Sequence, residues 1–275
     1  MKREIFSYTA PQLLPYIDWS YFFHAWGIGA RATESKEAQE AQEVKRDAIA
    51  LLHSMGDATV AYAVFALCDA KGCDDDIIIE GSTTLPLLRQ QHSHEGEHNL
   101  CLSDFVSPHG DKIGLFATTI SNRLCHTDID DTYHNLLLQT IASRVAEAAA
   151  TLLHKEVRTN TALWGYAPME RLTPEELNLE KFQGIRPAVG YPSLPDQSVI
   201  FIIDELLHMN EIGIELTPNG AMNPHASVCG IMIAHPAARY FAVGKISDEQ
   251  LRDYARRRGA TPESLYRFLF KNIGK

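Results

Sequence analysis

The chain has 275 residues, 45% hydrophobic and 22% charged, with a formal net charge of −10 at pH 7. That length can bury a substantial core, and the acid excess argues against a protein built to grip nucleic-acid phosphates, which needs a basic face. Five cysteines, an odd count with no Cys-x-x-Cys pair, no signal-peptide pattern at the start and no apolar run approaching a bilayer span point to a reduced, cytoplasmic protein, bound to no membrane.

Asp18 lies among aromatics in Tyr16-Ile-Asp-Trp-Ser-Tyr-Phe-Phe. A bare carboxylate is costly to bury there, so the residue reads either as the N-cap of the next segment or as an acid facing a ligand. Gly27-Ile-Gly-Ala-Arg-Ala fits G-x-G-x-x-A in form, but no β-run precedes it, so a dinucleotide site is not expected. Residues 36–55 form an amphipathic helix closed by Gly56. Residues 58–70 and 76–80 read as strands joined at Lys71-Gly72, and 85–91 as a short helix. His92-Ser-His-Glu-Gly-Glu-His98 has the side chains for a metal site but lacks a recognised spacing, and reads as a solvated loop.

Residues 100–106 and 112–119 are the next expected strands. The longest helix runs from Asp130 to Arg158, with Tyr133, Leu137, Ile141, Val145, Ala148, Leu152 and Val157 on one stripe and Glu147 beside it. Thr173-Pro-Glu-Glu176 is a capping box opening a helix to Phe182, and Asp196 caps another to about Met209. Residues 226–234 and 239–246 read as a hairpin turning at His235-Pro-Ala-Ala238. Ser247 and Thr261 open the last two helices, and Arg252, Arg256, Arg257 and Arg258 read as a solvated face, with an acidic partner protein as the alternative. Paired strands between long helices indicate a single α+β domain over residues 1–275, an antiparallel or mixed sheet covered by helices.

Gly184-Ile-Arg-Pro-Ala-Val-Gly-Tyr-Pro192 is the most distinctive stretch. Two prolines fix the backbone around Gly190, so Arg186 and Tyr191 project from a loop shaped before any ligand arrives. Arg186 suits a carboxylate, Asp18 or Glu180 an ammonium, and Tyr191 and Tyr240 a heterocycle or a positive sulfur centre. No Ser-His-Asp order, His-Glu-x-x-His or phosphate loop accompanies them, so no self-contained catalytic engine is expected.

Taken together, Tyr16-Ile-Asp-Trp19, Leu88-Arg-Gln-Gln91, Cys101-Leu-Ser-Asp-Phe-Val-Ser-Pro108, Trp164-Gly-Tyr-Ala-Pro168, the Gly184–Pro192 loop and His235-Pro-Ala-Ala-Arg-Tyr-Phe-Ala-Val243 resemble the activation domain of cobalamin-dependent methionine synthase. The resemblance implies a twisted, mainly antiparallel sheet flanked by helices. It also implies binding of S-adenosylmethionine and support of the reductive methylation of cob(II)alamin, with the electron supplied by a flavodoxin-like donor.

By the same resemblance Asp18 holds the ligand's amino group and Arg186 its carboxylate, while Ala188 and Tyr191 line it. Tyr240 and Phe241 form an aromatic pair, and Glu147 and Glu180 are nearby acids. Phe241 stands where some relatives carry tyrosine, and Asp130-Asp-Thr-Tyr133 departs from a family His-Asp-Asp-Tyr. No Asp-x-His-x-x-Gly string for a corrinoid occurs. Cobalamin is therefore expected only through a corrinoid-bearing methionine synthase chain on which this one acts in trans. The alternatives are a module that senses S-adenosylmethionine without methyl transfer, or a methyl donor module for a different corrinoid protein.

Overall fold

The structure is a computed structural model, which describes residues 1–28, 36–81, 83–92, 98–125 and 131–273. Residues 29–32 of the Gly27–Ala32 string, the centre of the His92–His98 loop and Asp130 lie outside them. In chain order the regular elements are β1 (Lys2–Thr9), α1 (Ala10–Leu13), α2 (Trp19–Ala25), α3 (Lys36–Ser54), β2 (Thr59–Cys73), β3 (Asp76–Ile79), β4 (Thr83–Pro86) and β5 (Asp111–Ile120). They continue with α4 (Thr132–Thr159), α5 (Pro174–Asn178), α6 (Val199–Leu207), β6 (Glu215–Leu216), β7 (Met222–Asn223), β8 (Ser227–Met232), α7 (Asp248–Arg257) and α8 (Pro262–Leu269).

Six strands make one antiparallel sheet in the order β4-β3-β2-β5-β8, with β1 paired to the first half of β2. β2 is the organising strand, because its 15 residues carry β1 and then β3 along one edge and β5 along the other. Alternate residues of a strand point to opposite faces. Ala61, Ala63 and Phe65 therefore enter a core with α3 and α4, while Val64, Ala66 and Cys68 enter a second core with α6. With both faces covered, β2 reads as an almost continuous apolar run. The fold is α+β, an antiparallel sheet between layers of helices, as the sequence led one to expect.

Several local expectations are corrected. The N-terminal strand β1 had no counterpart in the sequence reading. The Lys71-Gly72 pair lies inside β2, and the chain turns two residues later at Asp74, whose φ is 51°. Residues 85–91 hold the end of β4 rather than a helix, and residues 100–106 close a 3-10 turn over Leu102–Phe105 instead of a strand. The hairpin after β8 does not form. The β8 edge that 239–246 would need is taken by the Gly184–Pro192 loop, with Ile185 bridging Ile233 and Ala188 bridging Gly230.

The basic run on α7 is a solvated face only in part. Arg252 and Arg256 are exposed, whereas Arg257 pairs with Asp76 and Asp253 and Arg258 lies against Asp196 and Ser198, both with little exposure. α4 is, by length and composition, long and apolar enough to cross a membrane, contrary to the sequence reading. Its apolar side is instead packed on the sheet. All five cysteines are free thiols, with Cys68, Cys101 and Cys229 buried.

Candidate functional site

The wall of the site begins on α4. Arg144, Glu147, Thr151, His154 and Arg158 recur at helical spacing and so share one face. Along that face exposure falls until His154 and Arg158 are each 1% exposed. The opposite wall is the Gly184–Pro192 loop, laid on β8 as an extra strand. Ile231 N–H donates to Pro187 O at 3.1 Å and Val189 N–H to Cys229 O at 2.9 Å. Gly230 makes the approach possible, since an added Cβ would stand 2.2 Å from Pro187 O. Gly190 has φ +85°, as a loop bent around a glycine requires, and its Cβ would meet Gln197 Oε1 at 2.5 Å.

The third wall is the segment after β8. Ser193 ties it to the loop, donating from Oγ to Phe241 O at 2.5 Å and accepting from Phe241 N–H at 3.1 Å. Val243 N–H donates to Pro192 O at 2.9 Å, and the Arg186 N–H donates to the Tyr240 hydroxyl at 3.0 Å.

These walls enclose a cleft of about 540 Å³ containing Glu147, Glu180, Arg186, Ala188, Tyr191, Tyr240 and Phe241. A smaller recess of about 150 Å³ adds Asp18 and shares Tyr21, Arg144, Glu147, Glu180 and Arg186 with it. All eight residues singled out in the sequence thus come together, from five separate stretches of chain. Asp18 caps α2, its Oδ1 accepting the Ser20 N–H at 2.8 Å, and it also lines the recess. Glu180 follows the end of α5 in the left-handed conformation, at φ 54°.

At the centre, Arg186 Nη1 lies 3.6 Å from Glu147 Oε2 and Nη2 donates to Thr151 Oγ1 at 3.1 Å. A guanidinium has five N–H donors, so capacity for a further acceptor is left over. The neighbouring Glu147 carboxylate, with partial burial, raises the Tyr191 hydroxyl above its usual pKa, and burial raises that of Tyr240. Both phenols are neutral donors at pH 7.

Tyr21, Arg144 and Thr151 also line the site and were missed by sequence reasoning. Periodicity carried the signal, because Arg144 and Thr151 flank Glu147 at i−3 and i+4, and Tyr21 follows Asp18 at i+3. Tyr21, 66% exposed, receives the Arg144 guanidinium over its ring at 5.7 Å. Among the described residues no cluster of metal-ligating side chains occurs, and neither His92 nor His98 lines the cleft.

The arrangement offers two guanidiniums, three carboxylates and exposed aromatic faces around the cleft and its adjoining recess. Such a set of groups has the chemistry to pair with a charged, aromatic-bearing small molecule. The crystal structure of the MetH reactivation domain bound to AdoHcy superposes on the chain with a TM-score of 0.93 at 35% identity, covering 100% of this chain and 91% of that one. The family described as "Vitamin B12 dependent methionine synthase, activation domain" matches residues 10–259. On both grounds the chain belongs to the family of the activation domain of vitamin B12-dependent methionine synthase.

Proposed function

We propose that the cleft binds S-adenosylmethionine and that the protein presents its methyl group during reductive methylation of cob(II)alamin, acting in trans on a corrinoid-bearing methionine synthase chain. A flavodoxin-like donor supplies the electron, and the setting is cytoplasmic. The observation that carries the reading is the charge arrangement of the cleft. Arg186 takes the ligand carboxylate in a charge-assisted pair. Asp18 takes the ammonium, with Glu147 and Glu180 close by. Tyr191, Tyr240 and Phe241 supply aromatic surface for the adenine, and Ala188 leaves room beside it.

The balance of charge supports the positive ligand. Three carboxylates, Asp18, Glu147 and Glu180, face two guanidiniums, Arg144 and Arg186. The resulting single negative charge complements a molecule bearing one carboxylate, one ammonium and one sulfonium. AdoHcy, the ligand of the structural relative, lacks the sulfonium and is the weaker electrostatic match.

The corrinoid of the partner supplies the metal-centred nucleophile. This chain's residues then need no general acid or base. Their work is to orient the ligand and exclude water. The preformed loop does this at low entropic cost, because its backbone is fixed on β8 before binding.

A calorimetric titration with S-adenosylmethionine is the first test, expected to give one saturable site. The second supplies the protein to an oxidised corrinoid-bearing methionine synthase chain with a flavodoxin-like reductant and follows recovery of activity. Binding without recovery reduces the protein to a sensor of the ligand. No binding removes the proposal.

A further inference from the structure

The Trp164–Pro168 stretch has no part in the cleft, yet it is packed beneath it. It folds back over the end of α4, with Gly165 N–H donating to Val157 O at 2.9 Å and Ala167 N–H to Arg158 O at 2.8 Å. This return places the Tyr166 hydroxyl 2.9 Å from His154 Nε2. It also sets that hydroxyl against the backbone at Gly184, where an added Cβ would stand 3.1 Å from it.

Phe182 meets the same cluster two residues earlier. Its ring is edge-on to His154, with centroids 4.9 Å apart, and under the Arg158 guanidinium at 4.6 Å. Arg158 is fixed in turn by Glu170 Oε1, which accepts from Nε at 2.9 Å and Nη2 at 2.6 Å. Both sides of the chain entering Arg186 are therefore held: Phe182 and Gly184 against this cluster, and Ile185 by paired hydrogen bonds to Ile233. A long flexible side chain is only as well aimed as the backbone that carries it, and small displacements at a binding group are expensive.

We propose that Tyr166 and His154 are positioning residues for Arg186. Their hydrogen-bonded pair, backed by Arg158 and Glu170, fixes the Phe182–Gly184 backbone and so aims the guanidinium into the cleft. The inference rests on the reading of that cleft as the S-adenosylmethionine site. Neither residue lines the cleft, so both act through Arg186.

Tyr166→Phe keeps the ring packed on Trp164 and deletes the hydroxyl. Amide hydrogen exchange and a titration with S-adenosylmethionine are compared with wild type. Exchange at Ile185 and Arg186 is expected to accelerate about tenfold while the β5 amides keep their rates. Affinity is expected to fall about ten- to a hundredfold. His154→Leu should behave like Tyr166→Phe, whereas His154→Gln, which keeps a hydrogen-bonding group toward Tyr166, should restore both readouts.

Unchanged exchange at Ile185 and Arg186 overturns the proposal. So does faster exchange with wild-type affinity, and so does equal acceleration throughout the sheet, which marks a purely structural role. A wild-type protein that binds no S-adenosylmethionine removes the reading of the cleft, while the exchange comparison still decides whether Tyr166 and His154 hold the Arg186 segment.

Discussion

Arg186 concentrates the proposed chemistry of the cleft, since it faces Glu147, bonds Thr151 and lies on a backbone held by Tyr240. Replacing it by alanine removes a charge-assisted contact to the ligand. Arg186→Ala is expected to weaken S-adenosylmethionine binding by about 1.5–3 kcal/mol, or roughly ten- to a hundredfold, by calorimetry; unchanged affinity would exclude Arg186 from the site. Gly190 sets a different constraint. At φ +85° a β-branched side chain is strained, and it also displaces the Gln197 amide, whose Oε1 would lie 2.5 Å from the new Cβ. Gly190→Val should lose about 1–2 kcal/mol of stability in denaturant unfolding, and wild-type stability would show that the loop relaxes without cost. The Arg-Pro and Gly-Tyr-Pro pairs announced this loop in the sequence because their constraints are local. Thr151 and Arg144 stayed hidden, since an ordinary helical residue is assigned to a site only by what packs opposite.

At the level of elements, the loop and β8 form one unit. The carbonyl of Pro187 accepts from Ile231 N–H directly over Gly230. A methyl group there meets backbone that cannot swing aside, so Gly230→Ala must push the loop off the sheet. The expected cost is about 1–3 kcal/mol in stability, read from the thermal midpoint, together with weaker ligand binding. Wild-type values for both would detach the loop from β8. The same pairing explains why the hairpin read after β8 is absent. A strand has two edges, β8 gives one to β5 and the other to residues 185–189, and the later segment is left to cap the loop instead. Nothing within 239–246 records that competition. Helix starts were easier to read: Thr173, Ser247 and Thr261 each cap the helix expected of them, because a cap is settled within four residues.

Across the whole molecule, acidity should unfold the protein partly through the cluster beneath the site. Burial, with the positive charges of Arg158 and Arg186, holds His154 well below its usual pKa. The unfolded chain takes up that proton near pH 6.5 while the folded chain does not. His154 therefore favours folding above about pH 6.5, and this contribution is lost as pH falls below that value. Urea midpoints at pH 7.5 and 5.0 are expected to differ more in the wild type than in His154→Gln, and equal differences would relieve His154 of that role.

The amino-acid sequence by itself determined what depends on near neighbours: the amphipathic helices, their caps, the rigid loop and the six strings that resemble the family. It also contained all eight proposed site residues, although Asp18 and Arg186 are separated by most of the chain. Only the tertiary structure decided that Asp18 both caps α2 and faces the recess, that Arg257 and Arg258 of the basic run turn inward to Asp76 and Asp196, and that the apolar α4 lies against a sheet. Each of these turns on which surfaces meet. Burial, pairing of charges and possession of a strand edge are properties of two segments at once, and no single stretch of sequence encodes them.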